Sequence, residues 1–294
     1  MCNFFKKLFP GTQGPISTEV LTGEESTPKF KKKYYVGVGI NAYANAPLRG
    51  CVNDIEDSFL YLVDNKGFQQ GDDMRLLIDE RATKQAILDR LEWLVSKSEP
   101  DTLVVFQYSG HGTQVPNRNY DGEVDGMDEV ICPVDFDWQG TWISDDQLAD
   151  YIDRIARKGA TPTFIIDACH SGTMLKDIPN IFSRKSISRF YPMPIDIAAR
   201  ITKNVIKRTM NTEINEQAVL VSGCQDNQTS ADAYIDGKYN GALTKHLLDL
   251  AKQNPNYTWK QLITILPKAV KASGYEQTPS ITGGEALLNQ KIFG

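Results

Sequence analysis

The chain has 294 residues, 41% of them hydrophobic and 23% charged, with a formal net charge of −5 at pH 7. That is enough for one main globular domain with a sizeable core, and an acidic balance gives no general reason to bind nucleic acid. No apolar run approaches the roughly 20 residues of a bilayer-crossing helix, which excludes a stable helical membrane span.

Taken in order, residues 1–32 carry Pro10, Gly11, Gly14, Pro15, Gly23 and Pro28 among Ser and Thr, and read as a flexible leader. Its first nine residues are apolar and basic, which would suit a short membrane or partner contact, but they are read as a frayed end. Tyr34 to Ile40 alternates as a strand, and Asn41 to Gly50 is a loop. Cys51 to Lys66 is a helix with Val52, Ile55, Phe59, Leu62 and Val63 on one face. Met74 to Ile78 reads as a strand, Thr83 caps a helix to Ser96, and Asp101 to Tyr108 is a third strand. This β-α-β-α-β series predicts an α/β fold with a mostly parallel sheet.

From Asp121 to Asp150 there are ten acids and no Lys or Arg. So many like charges need solvent or a shared cation, and a hard divalent ion with oxygen ligands, calcium above all, would answer that need. The stretch is not an EF-hand loop, because the twelfth position from Asp121 is Cys132 where that motif requires Glu. Thr163 to Ile166 is a buried strand. Lys176 to Asn211, with eight basic residues against two acids, reads as an exposed linker. Ala218 to Ser222 is a further strand, Gly241 to Gln253 a helix holding His246, and Thr258 to Ser273 a helix that Pro267 bends or ends. Gln277 to Thr282 is a last edge strand, and no internal repeat is visible.

Two of these strands end on chemistry. Phe164-Ile165-Ile166 breaks into Asp167-Ala168-Cys169-His170-Ser171-Gly172, and Val105-Phe106-Gln107-Tyr108 into Ser109-Gly110-His111-Gly112. Reactive side chains emerge at the carboxyl ends of such strands. A thiol with an ordinary pKa of about 8.5 needs a base, and a neighbouring imidazole can take its proton and return it to a leaving amine. Cys169 is therefore the candidate nucleophile and His111 the base, with backbone N–H groups of Gly112 and Cys169 available to an oxyanion. The plain alternative makes Cys169 a buried filler and His111 a satisfied loop residue. Two matched, glycine-flanked strand endings weigh against it.

Alternate strand residues share a face, so Asp167 points with Cys169 and Ser109 with His111. Cys51 and Asp54 share a helix face. Asp54 and Asp167 would then form one negative pocket with no evident compensating base, which suits Arg or Lys in a substrate. His170 faces the other way and is not the base, and His246 is read as packed or exposed.

Tyr-Ser-Gly-His-Gly with Asp-Ala-Cys-His-Ser-Gly resembles the caspase-like cysteine peptidases, specifically metacaspases and orthocaspases. Gly50 to Asp54, Asp125 to Ile131, Ser144 to Asp146 and Ser222 to Ala231 resemble further segments of that family in the same order. Coverage runs from about Lys33 to the end, as in a type I-like metacaspase without a long prodomain. The resemblance implies a caspase/hemoglobinase three-layer sandwich with helices on both faces of the central sheet. It implies a large portion over 33–178, a basic linker over 179–215 and a small portion over 216–294. It implies a substrate pocket of Cys51, Asp54, Ser109 and Asp167, and a calcium site of Glu129, Asp145, Asp146 and Asp177. It further implies a monomer that cleaves proteins after Arg or Lys. Self-cleavage candidates in the linker are Arg184, Lys185, Arg189, Lys203, Lys207 and Arg208. Five cysteines without a CxxC pair, and no cleavable signal sequence, point to a reducing, cytoplasmic setting. The rival readings are a caspase-like scaffold with little or no proteolysis, and another cysteine hydrolase indifferent to metal.

Overall fold

In the computed structural model, which describes residues 30–116, 127–170, 186–195, 216–224 and 230–294, β1 (Lys32–Gly39) is buried from Tyr34 onward. Both its faces are uncharged there, so it lies inside a sheet. Helix α1 (Cys51–Lys66) crosses to β2 (Met74–Ile78), and a single 3-10 turn at Asp79–Arg81 precedes α2 (Lys84–Lys97). The Thr83 hydroxyl caps α2 by accepting the Ala86 N–H. β3 (Thr102–Ser109) follows and is buried at every residue.

The chain continues through β4 (Gly112–Pro116), β5 (Met127–Ile131), β6 (Ile143–Ser144) and α3 (Asp145–Arg157), the last opened by a capping box of Ser144 and Gln147. Then come β7 (Thr161–Asp167), β8 (Ser186–Ser188), β9 (Val219–Ser222), β10 (Ala231–Ile235) and β11 (Lys238–Gly241). Helices α4 (Ala242–Gln253) and α5 (Trp259–Ala272), strand β12 (Ser280–Thr282) and the short α6 (Glu285–Leu288) complete it.

The main sheet has the order β12-β9-β7-β3-β1-β2, parallel throughout except for β12 against β9. Strand alternation divides its side chains between two cores. Val36, Val104, Phe106 and Phe164 pack with Ile87 and Leu91 of α2 and Ile152 and Ile155 of α3. Tyr35, Val105, Ile165 and Val219 pack with Tyr61 of α1, Leu247 of α4 and Leu262 of α5. The result is the expected three-layer α/β sandwich. Each such side chain contributes roughly 1.5–3 kcal/mol on burial, against about 0–1 kcal/mol for a solvent-facing pair such as Arg154 and Glu92, so the two cores hold the fold.

Three differences from the sequence reading bear on function. The acidic stretch contains strand β5, which joins β4 and β6 in a small antiparallel sheet. Residues 231–241 form the hairpin β10-β11, and β8 pairs with β10. The described part of the linker is therefore not an exposed tether: Ser186–Ser188 is a strand, and Arg189 is completely buried. Helix α5, read from sequence as Thr258 to Ser273, runs through Pro267 to Ala272, so of the two effects expected of that proline it does not end the helix.

Candidate active site

β3 and β7 are neighbours, and Ser109 lies opposite Asp167 in their register. His111 and Cys169 thus leave the sheet two residues beyond the same rung. The His111 backbone is pinned on both sides: its N–H donates to the Tyr43 hydroxyl at 3.0 Å, and its carbonyl accepts from the Tyr108 hydroxyl at 2.7 Å and the Cys132 N–H at 2.9 Å. The imidazole lies against the Tyr43 ring with centroids 4.6 Å apart. Its Nε2 is 2.7 Å from the Ala46 carbonyl. A carbonyl can only accept, so Nε2 carries the proton and Nδ1 is the basic nitrogen. Nδ1 is buried without a hydrogen-bond partner among the described residues.

Burial lowers the His111 pKa to about 4, against the opposing pull of the Ala46 and Arg189 carbonyls. Cys169 is fully buried, and its thiol donates to the Ser230 carbonyl at 3.7 Å while the Ser230 N–H contacts the sulfur. Burial pushes this thiol well above its ordinary value, and the neighbouring Cys224 thiol pushes the same way. Both members of the pair rest uncharged, and no hydrogen bond joins them.

A stretch of the protein's own chain covers them. Ser186, Ile187 and Ser188 pair antiparallel with Ala233, Asp232 and Ala231. The Arg189 N–H donates to the Ser230 carbonyl at 3.0 Å, and the Arg189 carbonyl accepts from the Gly112 N–H at 3.0 Å. Phe190 bridges Gly112 in parallel, and the Tyr191 N–H donates to the Gly112 carbonyl at 2.9 Å. An extended peptide therefore crosses the sheet ends, with one backbone carbonyl at the expected oxyanion donor. Of the two donors expected, Gly112 engages this carbonyl and the Cys169 N–H does not. A Cβ on Gly112 would come within 2.5 Å of the Cys169 carbonyl, so glycine lets the two strand ends meet.

The Arg189 side chain enters the acid pocket. Its Nη2 lies 2.7 Å from Asp54 and 3.2 Å from Asp232, and its Nη1 3.1 Å from Asp167. Asp54 also accepts from the Gly241 N–H at 2.8 Å. Asp167 is held by the Ser230 hydroxyl at 2.7 Å and by the Thr244 hydroxyl and N–H at 2.8 and 3.1 Å, the latter in the first turn of α4. With three carboxylates around one guanidinium, burial pushes Asp54 up to about 7 although Arg189 pulls it down. Gly241 closes one wall: a Cβ there would overlap the Asp167 carboxyl and approach Arg189 Nη1 within 2.5 Å.

The other predicted pocket residues divide. Cys51 is buried, its N–H donates to Asn41 at 2.9 Å, and burial raises its thiol well above the usual value. Ser109 is buried beside Asp167, but its hydroxyl makes no hydrogen bond to Arg189. The expectation of a pocket without a compensating base is corrected, because Arg189 supplies one. Arg184, Lys185, Lys203, Lys207, Arg208 and Asp177 lie outside the described residues.

Sequence reasoning missed Asp232, Ser230, Ala46, Tyr43 and Gly241. Asp232 carries the clearest missed signal, an acid on a hairpin strand. Ala46 and Ser230 act on the imidazole and the peptide through backbone atoms, which no side-chain pattern discloses.

Asp145 and Asp146 open α3, and Glu129 lies on β5. Burial raises the Asp145 carboxyl to about 7, and Asp146, Glu129 and Asp128 raise it further. Glu129 is 3.6 Å from Nδ1 of His170, the residue after the nucleophile. No three acids, cysteines or histidines among the described residues are arranged to hold a metal without help from elsewhere. His246 is packed, with its ring nitrogens 2.7 Å from the Ala242 carbonyl and the Ser273 hydroxyl. Among the described residues, no helix is long and apolar enough to cross a membrane.

The sequence and the fold have counterparts. The chain is 33% identical over 292 residues to Metacaspase-1A of Aspergillus fumigatus, covering 87% of this chain and 70% of that protein. It is 33% identical over 299 residues to Metacaspase-1 of Lodderomyces elongisporus, covering 87% and 65%. It thus spans only about two thirds of the length of these relatives. Among solved structures, protein GSU0716 from Geobacter sulfurreducens is similar at a TM-score of 0.63 and 27% identity, over 89% of this chain and 98% of that one. Caspase-1 from Spodoptera frugiperda is similar at a TM-score of 0.56 and 11% identity, over 91% and 94%, and supports the fold alone. The family model for the metacaspase, peptidase C14 domain matches residues 32–179, the span that carries β3, β7, His111 and Cys169, and the chain belongs to that family.

Proposed function

We propose that the protein is a calcium-dependent cysteine endopeptidase that cleaves after Arg or Lys, and that the Arg189–Phe190 bond of its own chain is its first substrate. One observation carries the reading: Arg189 lies in a buried ring of Asp54, Asp167 and Asp232 while its carbonyl accepts from the Gly112 N–H. A bidentate cation with its carbonyl on an oxyanion donor is what a peptidase of this specificity requires.

In the reaction, Cys169 Sγ bonds to the arginine carbonyl carbon as its proton passes to His111 Nδ1. Gly112 stabilises the oxygen that takes up the electron pair. The C–N bond then breaks, the leaving amine receives the proton held on His111, and a thioester remains. Water, deprotonated by His111, attacks the thioester and restores the thiol. The Ala46 carbonyl keeps the imidazole in the tautomer that these transfers need.

The acids fit calcium as a partial oxygen set. Among the described residues, Asp145 is crowded by Asp146, Glu129 and Asp128 and has no ion-pair partner, and hard carboxylate oxygens suit that ion. Asp145, Asp146 and Glu129 would hold it with Asp177. Bound there, it would neutralise the cluster and hold β5 against α3, where Glu129 lies 3.6 Å from His170, the residue after Cys169. It takes no part in bond making.

Hydrolysis of small reporter amides ending in Arg, Lys or Asp, with and without calcium, tests the reading. Arg and Lys reporters should turn over only with calcium, and Cys169→Ala should be inert. Preferred hydrolysis after Asp would overturn it.

A further inference from the structure

The covering peptide is held beyond the arginine as firmly as before it. Tyr191 donates its N–H to the Gly112 carbonyl at 2.9 Å and accepts the Thr113 hydroxyl on its own carbonyl at 2.8 Å. With both backbone groups fixed on β4, its side chain is aimed into an aromatic enclosure. Its ring centroid lies 5.2 Å from Phe136, 6.1 Å from Tyr43 and 6.3 Å from Trp138, at interplanar angles of 56°, 65° and 62°. Phe136 and Trp138 meet edge to face at 5.0 Å. These are the separations and tilts at which ring quadrupoles attract.

We propose that the active site carries an aromatic subsite for the second residue after the cleaved bond, walled by Tyr43, Phe136 and Trp138. This rests on the reading of residues 186–191 as a substrate lying in place, and Tyr191 is then that second residue.

Two further observations support it. A cleft of about 550 Å³ remains beside Tyr191, lined also by Asn45, Ala46 and Pro194, so the enclosure has room for rings of different size. The same walls serve the chemistry. Tyr43 packs on the imidazole, Ala46 orients it, and the Tyr191 ring lies 5.2 Å from His111, nearly perpendicular to it at 86°. An aromatic occupant therefore presses on the loop that sets the base, and the preference should appear in kcat as well as in KM.

The test uses the full chain with calcium and internally quenched peptides of the form Ser-Ile-Ser-Arg-Phe-X-Pro, with X as Tyr, Phe, Ala or Glu. Peptides with Tyr or Phe should be cleaved after Arg with kcat/KM about tenfold above those with Ala or Glu. In Trp138→Ala and Phe136→Ala the Tyr-to-Ala ratio should fall toward one. Should either variant fail to fold, the peptide series on the unsubstituted protein decides alone. Equal rates for all four peptides would overturn the subsite while leaving cleavage after arginine intact. A Tyr preference that survives both substitutions would overturn the assignment of its walls. Failure to cleave any of them after Arg would remove the underlying reading, and the subsite with it.

Discussion

Asp54 and Asp167 reach one guanidinium from a helix and a strand that are far apart in sequence, and each was legible from spacing alone. Helix positions three apart and strand positions two apart share faces, and that is enough to point both acids at the lip that carries Cys169. A charge-assisted pair in a buried pocket is worth several times an exposed one. Asp54→Asn should therefore lower kcat/KM for an Arg reporter by about two orders of magnitude, measured by steady-state hydrolysis. The protonation of His111 is testable through stability. Its pKa falls from 6.5 to about 4 on folding, so the unfolded chain binds the extra proton between those values. Its contribution is fully present above about pH 6.5 and is lost as pH falls toward 4, by at most about 3 kcal/mol. Asp54, raised from 3.8 to about 7, slopes the opposite way, its effect waning as pH rises through that range. Chemical unfolding of the protein and of His111→Gln at pH 7 and pH 5 separates the two, and only the unsubstituted protein should show the His111 loss.

Among the elements, the α/β crossovers were readable because long apolar periods and the Thr83 cap announce them. Of the short strands, β9 and β12 were read, while β4, β5, β6, β8, β10 and β11 were not. β10-β11 turns at Asp236-Gly237, where both residues have positive φ, 52° and 94°, the conformation that an Asp-Gly pair favours. That signal was present and unread, and it would have placed Asp232 opposite Gly241. β8 has three residues and no pattern of its own, because it exists only through pairing with β10. Gly241→Ala tests the element that closes the pocket. The added methyl would collide with Asp167 and Arg189, so activity on Arg reporters should fall at least about tenfold while the thermal midpoint shifts. Where β5 meets α3, Asp145 must lose its proton to bind a cation, and its pKa is raised to about 7. Calcium affinity, read by calorimetry, should thus strengthen from pH 6 to pH 8 with release of a proton, and Asp145→Asn should abolish that pH dependence.

At the scale of the whole molecule, two cores clamp one sheet, and the chain returns across the sheet's carboxyl edge to fill the site it has built. An uncharged, fully buried thiol reacts slowly. Alkylation of Cys169 by iodoacetamide should be slow in the intact protein and at least about tenfold faster in Arg189→Ala, where the pocket loses its occupant. The burial of Arg189 was the least legible feature. In sequence it is one basic residue among eight in a linker, and only the tertiary pairing of β8 with β10 singles it out. The most direct measurement is mass spectrometry of the chain ends after calcium is added to the purified protein and to its Cys169→Ala and Arg189→Ala variants. The account predicts a new amino terminus at Phe190 in the unsubstituted protein and none there in either variant. A chain that stays uncut after Arg189 while it hydrolyses Arg reporters, or one that is cut there in Cys169→Ala, would contradict it.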